Sequence, residues 1–273
     1  MIIMLISCIE TVGIIVLALF GAFSGTLFGK RKAPWWLLGY ILPLIIVTSI
    51  ALARLVPKLE FMPFFQRLMA GRMEFAMLGF AVPMLFGALI GKLRRKSERI
   101  LVWVLVFVAV VISSVLPFLL PVFYRTSLKN IDTIIDPDGV CIQSNSYNCG
   151  PASAVTALYS RGVETDEGDL AILAYTTPVT GTASDILCDA INKGFSKDGV
   201  HAKYRMFENV EELDGLEPVV AVIRYSLLVD HFITVLDVTD SEVIIGDTLI
   251  GKCSLSIEDF YLKWRRTGIR IWK

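Results

Sequence analysis

The pattern of hydrophobic and polar positions divides the chain into two halves. The first half contains four uncharged apolar runs that have no polar face: 11–29, 33–53, 75–91 and 100–124. Runs of this length match the roughly 20 residues that a helix needs to cross a bilayer, and apolar residues all round are not typical of a surface helix. The pattern therefore predicts four transmembrane helices, at about 5–29, 34–55, 74–92 and 100–124.

Two other parts of this first half are interpreted differently. The segment 61–72, which is aromatic and basic, precedes the shortest apolar run and is predicted to lie along the membrane interface. The first run has no positively charged start and no small-residue cleavage site, so we expect a retained helix and not a cleaved signal peptide.

The second half combines helical periodicity with the alternation typical of strands. Three helices are predicted, starting near Cys149, Thr165 and Thr182. Later stretches are predicted as strands, with a short helix at 256–264 before the last: 219–223, 231–238, 243–247 and 268–272. Helices followed by an antiparallel sheet indicate the α+β class. The predicted organisation is a transmembrane domain at 1–125, a linker rich in Asp, Pro and Gly at 126–139, and a soluble domain at 140–273.

Charge separates the same two halves. Residues 1–124 carry 12 Lys and Arg against 4 Asp and Glu, whereas residues 125–273 carry 14 against 22, so a net charge of +8 is followed by one of −8. Basic clusters lie at 30–32 and 92–99, in the first and third loops. Because basic loops stay in the cytoplasm, placing both clusters there gives 8 basic residues inside against 6 outside. Both termini are therefore expected on the extracytoplasmic side.

Cys149 stands at the predicted start of a helix. Asn148 is of a residue type that caps helices, and Pro151 is tolerated only in the first helical turn. In that turn the unpaired N–H groups and the helix dipole favour a thiolate over a thiol. Gln143 lies six residues upstream and supplies an amide donor. The segment therefore predicts a nucleophilic cysteine with a donor nearby; the alternative for Gln143 is a loop residue bonded to backbone.

His231 is the predicted base, with Asp247 as its partner. Of the two histidines, His201 lies in an ordinary alternating surface strand, whereas His231 opens a strongly apolar one. If strands 231–238 and 243–247 form a hairpin, residues whose numbers sum to 478 face each other. His231 then lies opposite Asp247 on one face, and a one-residue slip would leave them within diagonal reach. The alternative for Asp247 is a turn former.

Other kinds of site find no support in the sequence. Cys141, Cys188 and Cys253 are expected to be small buried hydrophobes. The spacing of cysteines and histidines is not typical of a metal site, there is no phosphate-binding glycine loop, and the second half lacks a basic patch. The sequence therefore predicts no metal, no cofactor and no nucleic-acid partner.

From about residue 140 to the end, the sequence resembles the papain-like cysteine peptidase family that removes double-glycine leader peptides from bacteriocins and related secreted peptides. The matching positions follow family order: Gln143, Cys149-Gly150-Pro151-Ala152, Gly181-Thr182, His231-Phe232, Asp247, Gly251, Phe260, Trp264 and Gly268-Ile269. Two positions depart from the family pattern. Asn148 replaces an acidic residue but should still cap the helix, and Thr248 replaces a proline and is expected to loosen the loop that holds Asp247.

The resemblance implies a papain-like peptidase domain with helices packed on an antiparallel sheet, here preceded by four transmembrane helices. It implies a thiol endopeptidase in which Cys149 attacks the scissile carbonyl and His231 is the base. Asp247 would orient the histidine, and Gln143 would help to form the oxyanion hole. Expected partners are a peptide or protein substrate, the lipid bilayer and an export system, at a bacterial inner or cytoplasmic membrane.

Two rival functions stay open at this point. The same scaffold could resolve the thioester with an amine, as an acyltransferase, transpeptidase or amidase does. It could also be a non-catalytic module that docks a peptide for an exporter. The presence of both Cys149 and His231 argues against docking, since a domain that only binds needs neither.

Overall fold

The computed structural model describes residues 2–69, 72–216, 218–226 and 229–273 of the chain. These residues form two compact units, Met1–Val122 and Phe123–Lys273. The first unit is helical, and its last helix continues across the boundary: α1 Ile2–Gly29, α2 Leu38–Leu55, α3 Pro57–Glu60, α4 Pro63–Met69, α5 Met73–Ile90, α6 Lys96–Val110 and α7 Leu116–Lys129.

Four helical stretches among the described residues are long and apolar enough to cross a membrane: Ser7–Gly29, Trp35–Leu55, Met73–Ile90 and Lys96–Lys129. They coincide with the four predicted runs. The fourth stretch extends beyond its run at both ends, to Lys96 and Lys129, and contains a π-helical turn, Val111–Val115, that joins α6 to α7. The short helix α4 lies within the segment 61–72 that was predicted to lie along the interface, of which residues 70 and 71 lie outside the described residues, and α3 lies just before that segment.

Close packing of α1 against α5 depends on glycines spaced four residues apart in α1: Gly21, Gly25 and Gly29. A Cβ added at Gly25 would lie only 2.0 Å from the carbonyl oxygen of Met84, and at the other two positions it would meet α5 backbone equally directly. Small residues at this spacing let two apolar helices approach until their backbones touch. We therefore infer that close van der Waals packing at these glycines holds α1 against α5. In a membrane, burial of apolar side chains between helices gains little, because the lipid is apolar as well.

Two ion pairs join charged side chains on different helices of this unit. Arg72, just before α5, forms an ion pair with Glu10 of α1, and its guanidinium also lies 4.6 Å from the Phe118 ring centroid. Arg54 at the end of α2 pairs with Glu74, which is buried in the first turn of α5. Pairing removes most of the cost of placing such groups among apolar helices.

The second unit contains the remaining helices and all strands: β1 Ile134–Ile135, β2 Cys141–Ile142, α8 Cys149–Tyr159, α9 Glu167–Leu173, α10 Ser184–Phe195, β3 His201–Met206, β4 Val219–Arg224, β5 Asp230–Val238, β6 Glu242–Asp247, β7 Gly251–Ser256, α11 Ile257–Lys263 and β8 Trp264–Trp272. Six strands form an antiparallel sheet in the order β3-β8-β4-β5-β6-β7. Helices followed by an antiparallel sheet confirm the predicted α+β class.

Apolar side chains cover the sheet on both faces. Alternate residues of β4 point to opposite sides: Val220 and Val222 join a core with α8 and α10, whereas Val219 and Ala221 join a core with Phe260 of α11. A strand buried on both sides requires apolar residues at successive positions, which explains the uninterrupted run at 219–223.

The register of the β5–β6 hairpin differs from the prediction. Ile233, and not His231, pairs with Asp247. Next to the turn the numbers of paired residues sum to 481 instead of 478, a displacement of three, and the bulge that leaves Leu236 unpaired takes one back. The net displacement at this end is two residues. An even displacement keeps each side chain on its original face, so His231 and Asp247 become diagonal neighbours on the same face.

Residues 126–139, predicted as a linker, contain the end of α7 and strand β1, which pairs with β2. Strand β7 was not predicted, since its Lys252 to Ser256 stretch is largely polar. It is an edge strand, where one face and one side of the backbone meet solvent, so little apolar character is needed.

Candidate active site

Cys149 is the first residue of α8, as the sequence predicts. The reason differs from the prediction in one respect, because Asn148 makes no side-chain capping hydrogen bond; its Nδ2 donates to Glu167 Oε1 at 2.8 Å instead. The Asn148 carbonyl still accepts from Ala152 N–H at 3.0 Å. Cys149 is partly exposed at this end, whereas every residue from Gly150 to Leu158 is buried.

The burial of α8 from Gly150 to Leu158 depends on its small residues. The sequence predicted one apolar stripe, but the helix is covered all round, between the sheet and its neighbouring helices. At Gly150 an added Cβ would lie 3.0 Å from Thr182 Cβ, a contact tight enough that Thr182 would have to move. Burial fixes the helix, and its exposed first residue is held rigidly as a result.

A buried hydrogen bond joins α8 to the strand that carries His231. Thr234 Oγ1 donates to the carbonyl oxygen of Ser153 at 2.8 Å, and the Thr234 side chain is fully buried in β5. Thr234 lies three residues after His231, and Ser153 lies four residues after Cys149. This bond therefore fixes the relative position of the two elements that hold the thiol and the imidazole.

His231 and Asp247 are in direct contact. His231 Nε2 lies 2.9 Å from Asp247 Oδ1, and His231 is 5% exposed. The same carboxylate oxygen accepts from the Leu249 N–H at 2.9 Å, so the turn after β6 holds it in place. With Nε2 directed at Asp247, Nδ1 is the ring nitrogen left for a second partner.

The electrostatics link this pair to Cys149. Burial lowers the pKa of His231, but its hydrogen bonds to Asp247 and Cys149, and the negative charge of both, outweigh burial and raise the pKa to about 9. Burial alone would raise the pKa of Asp247, yet the hydrogen bonds from His231 and the Leu249 N–H hold it below its usual value. The site therefore favours the imidazolium form of His231 beside the Asp247 carboxylate.

Gln143 lies in the loop before α8 and contacts the turn after Asp247. Its Oε1 accepts from the Thr248 hydroxyl at 2.7 Å, and its backbone N–H donates to the Thr248 carbonyl at 2.9 Å. Its Nε2 donates to the Asn145 carbonyl at 2.8 Å. Thr248 is fully buried, so the expectation that it loosens the loop is wrong: it ties the turn to Gln143.

Residues 144–148, which join Gln143 to Cys149, are held by a buried carboxylate. Glu167 of α9 is fully buried and accepts from the Ser144 hydroxyl at 2.7 Å and from the Ser144 N–H at 3.1 Å. It also accepts from Asn148, as described above. Several hydrogen bonds to one anion replace the water that burial removes.

The other cysteines of the second unit differ from Cys149 in their surroundings. Burial raises the pKa of Cys141 to about 12 and that of Cys188 to about 11. Burial, followed by the charge of Asp247, raises the pKa of Cys253 as well. A thiol that stays protonated is a poor nucleophile. Cys141 and Cys188 are buried as predicted, whereas Cys253 is only partly buried.

Several residues of the site were missed by reasoning from sequence. Thr234 and Glu167 act through hydrogen bonds between distant parts of the chain, which no local pattern reveals. Thr248 was noted only as a departure from the family pattern, and its bond to Gln143 was not foreseen. Tyr225, which is 66% exposed, places its ring 5.8 Å from the His231 ring, centroid to centroid. The sequence hints at Tyr225 only through its position, six residues before His231.

Comparison with known proteins identifies a family and several relatives for the second half of the chain. Residues 139–273 match the sequence profile of the peptidase C39 family. An uncharacterised protein of Methanothermobacter marburgensis is 31% identical over 118 residues, which cover 43% of this chain and 77% of that protein. A second relative, from Methanothermobacter thermautotrophicus, is 26% identical over 130 residues, covering 48% of this chain and 85% of the relative.

Solved structures similar to the second half include two peptidase domains of transporters. One is the peptidase domain of Streptococcus ComA, a bi-functional ABC transporter involved in a quorum sensing pathway, with 20% identity and a TM-score of 0.42; 48% of this chain and 94% of that one are covered. The other is a double glycine motif protease from an AMS/PCAT transporter in complex with the leader peptide, with 17% identity and a TM-score of 0.41; 52% and 98% are covered.

Proposed function

The chain belongs to the peptidase C39 family and is a cysteine peptidase, and from this premise we propose a membrane-anchored endopeptidase that acts through Cys149, His231, Asp247 and Gln143. One observation supports this assignment above the others. A thiol at a helix start, an imidazole with its pKa raised to about 9 and a carboxylate 2.9 Å from that imidazole meet at one place.

Activation of the thiol begins with transfer of its proton to Nδ1 of His231. Asp247 holds the imidazole by Nε2 and stabilises the imidazolium that forms. The resulting thiolate of Cys149 lies in the first turn of α8, where the helix dipole favours negative charge. The pair is thus ready before the substrate arrives.

Attack of the thiolate on a peptide carbonyl places a negative charge on its oxygen. A side-chain N–H of Gln143 and the backbone N–H of Cys149 are the proposed donors to this oxyanion. The imidazolium then protonates the leaving amine, and water resolves the thioester with His231 as the base. The proposed substrate is an exported peptide with a double-glycine leader, which the matching residues from Gln143 to Gly268-Ile269 support.

The nucleophile is tested by labelling and turnover in the full-length chain. Cys149→Ala should abolish cleavage of a fluorogenic peptide with Gly-Gly before the reporter, and labelling by a thiol-reactive inhibitor should disappear with it. Cys141→Ala, Cys188→Ala and Cys253→Ala are matched controls that should keep most of both. Labelling that persisted in Cys149→Ala and vanished in a control would refute the assignment.

We further propose that the second unit faces the extracytoplasmic side. The basic clusters at 30–32 and 92–99 lie in the first and third loops, and 8 basic residues against 6 favour a cytoplasmic position for both. A reporter active only outside the cytoplasm should be on when fused after Lys273 and off when fused after Arg95. The reverse pattern would place the enzyme with precursors before their export.

A further inference from the structure

The side-chain amide of Gln143 has two of its hydrogen-bonding groups occupied by its own protein. Oε1 accepts from the Thr248 hydroxyl at 2.7 Å, and Nε2 donates to the Asn145 carbonyl at 2.8 Å. An amide oxygen only accepts, so the hydroxyl must be the donor in the first bond. The NH₂ group carries two hydrogens, so one N–H remains for a ligand.

These two contacts fix which way the amide faces. With the amide turned over, Oε1 would face the Asn145 carbonyl, and two acceptors would meet. The Asn145 carbonyl therefore selects the orientation, and the Thr248 hydroxyl holds the group in place by satisfying Oε1. A hydrogen bond accepted at Oε1 also polarises the amide, which makes its N–H a stronger donor.

Thr248 is itself held firmly. Its side chain is fully buried, and its carbonyl accepts the Gln143 backbone N–H at 2.9 Å, so two bonds join these residues. It directly follows Asp247, whose carboxylate is fixed by the Leu249 N–H at 2.9 Å. The turn after β6 thus holds both the Asp247 carboxylate and the side-chain amide of Gln143.

We propose that Thr248 is a positioning residue of the oxyanion hole, whose hydroxyl directs the free N–H of Gln143 at the developing negative charge. The proposal rests on the role given to Gln143 above. It gives a function to Thr248, which stands where the family that this chain resembles commonly has a proline. A proline has no hydroxyl, so this chain orients its glutamine by a contact of its own.

Two variants of Thr248 separate the hydroxyl from the shape. Thr248→Val keeps the volume and removes the donor; it should lower kcat about tenfold and change KM by less than about twofold. Thr248→Ser keeps the donor and should stay within about threefold of wild type. Both are measured on the full-length chain in detergent with the fluorogenic Gly-Gly peptide.

A second readout excludes a general structural effect. Alkylation of Cys149 by iodoacetamide requires the thiolate but forms no oxyanion, so its rate should be unchanged in Thr248→Val when followed by mass spectrometry of the Cys149 peptide. Circular dichroism verifies folding. If the valine variant is unfolded, Thr248→Ala, which fits the same space, takes its place with the same expectations.

A double-variant cycle tests whether Thr248 acts through Gln143. Adding Thr248→Val to Gln143→Ala should cause no further loss of kcat. The proposal would be overturned by any of three results: a wild-type kcat in Thr248→Val, an alkylation rate in that variant that falls with kcat, or a full tenfold loss when Thr248→Val is added to Gln143→Ala. Full turnover in Gln143→Ala alone would instead refute the role of Gln143, which is a separate result.

Discussion

Replacing Asp247 with asparagine should move the alkaline limit of activity to lower pH. Burial lowers the pKa of His231, but hydrogen bonds to Asp247 and Cys149 and the charge of both raise it to about 9. The imidazolium that protonates the leaving amine is therefore present below this pH and lost above it. Asparagine offers an acceptor of similar shape without the charge.

The size of the shift follows from the pKa of His231. A rise from 6.5 to about 9 corresponds to roughly 3 kcal/mol in favour of the imidazolium, at about 1.4 kcal/mol per pKa unit. Because burial opposes this rise, Asp247 and Cys149 together supply more than the net amount, and loss of the Asp247 charge should lower the alkaline midpoint by about one pH unit or more.

The same pKa values set the direction in which stability changes with pH. A histidine whose folded pKa lies above 6.5 contributes stability that is complete below pH 6.5 and is lost as the pH rises through about 9. The lowered pKa of Asp247 acts in the opposite direction: its contribution is present above pH 3.8 and is lost as the pH falls below that value.

The assay is kcat/KM of the full-length chain across pH 6 to 10, with the fluorogenic Gly-Gly peptide. Asp230→Asn is the matched control on the same strand, since Asp230 is exposed and its carboxylate accepts from Arg265 Nε at 2.7 Å. The control should keep the wild-type alkaline midpoint. An unmoved midpoint in Asp247→Asn would show that the carboxylate does not set the protonation of His231.

Three further predictions concern other parts of the molecule. Gln143→Ala should lower kcat about a hundredfold to a thousandfold with little change in KM, and Gln143→Glu should be at least as harmful, because it removes the donor and adds charge. Thr234→Val should lower kcat about threefold to tenfold by breaking the bond to Ser153, with unchanged activity refuting that link. Gly25→Val should lower the melting temperature in detergent, whereas Gly13→Val, which has open space around it, should not; equal effects would contradict the packing argument.

The parts of this chain that local chemistry determines were predictable from sequence. Apolar runs without a polar face gave the four helices, and Pro151 with the apolar positions after it gave the start of α8. Alternation along β5 placed His231 and Asp247 on one face of the sheet. The register was wrong because a bulge at Leu236 and a different turn depend on packing on both faces, which the hairpin sequence does not record.

The hydrogen bonds that complete the site lie beyond such reasoning because each joins residues far apart in the chain. Thr234 and Ser153 are 81 positions apart, and Thr248 and Gln143 are 105 apart. Nothing in either local sequence distinguishes such a threonine from an ordinary strand or turn residue. Only the fold shows that the hydroxyl meets a carbonyl in one case and an amide in the other.

The asparagine at position 148, where the family usually has an acidic residue, is explained by its contact with Glu167. Asn148 Nδ2 donates to Glu167 Oε1 at 2.8 Å, and both residues are fully buried. An aspartate at 148 would bring a second carboxylate to the same place, and two anions so close in a buried site are both ionised only at high cost. Because Glu167 already supplies the charge that holds residues 144–148, an amide at 148 is the side chain that can donate to it.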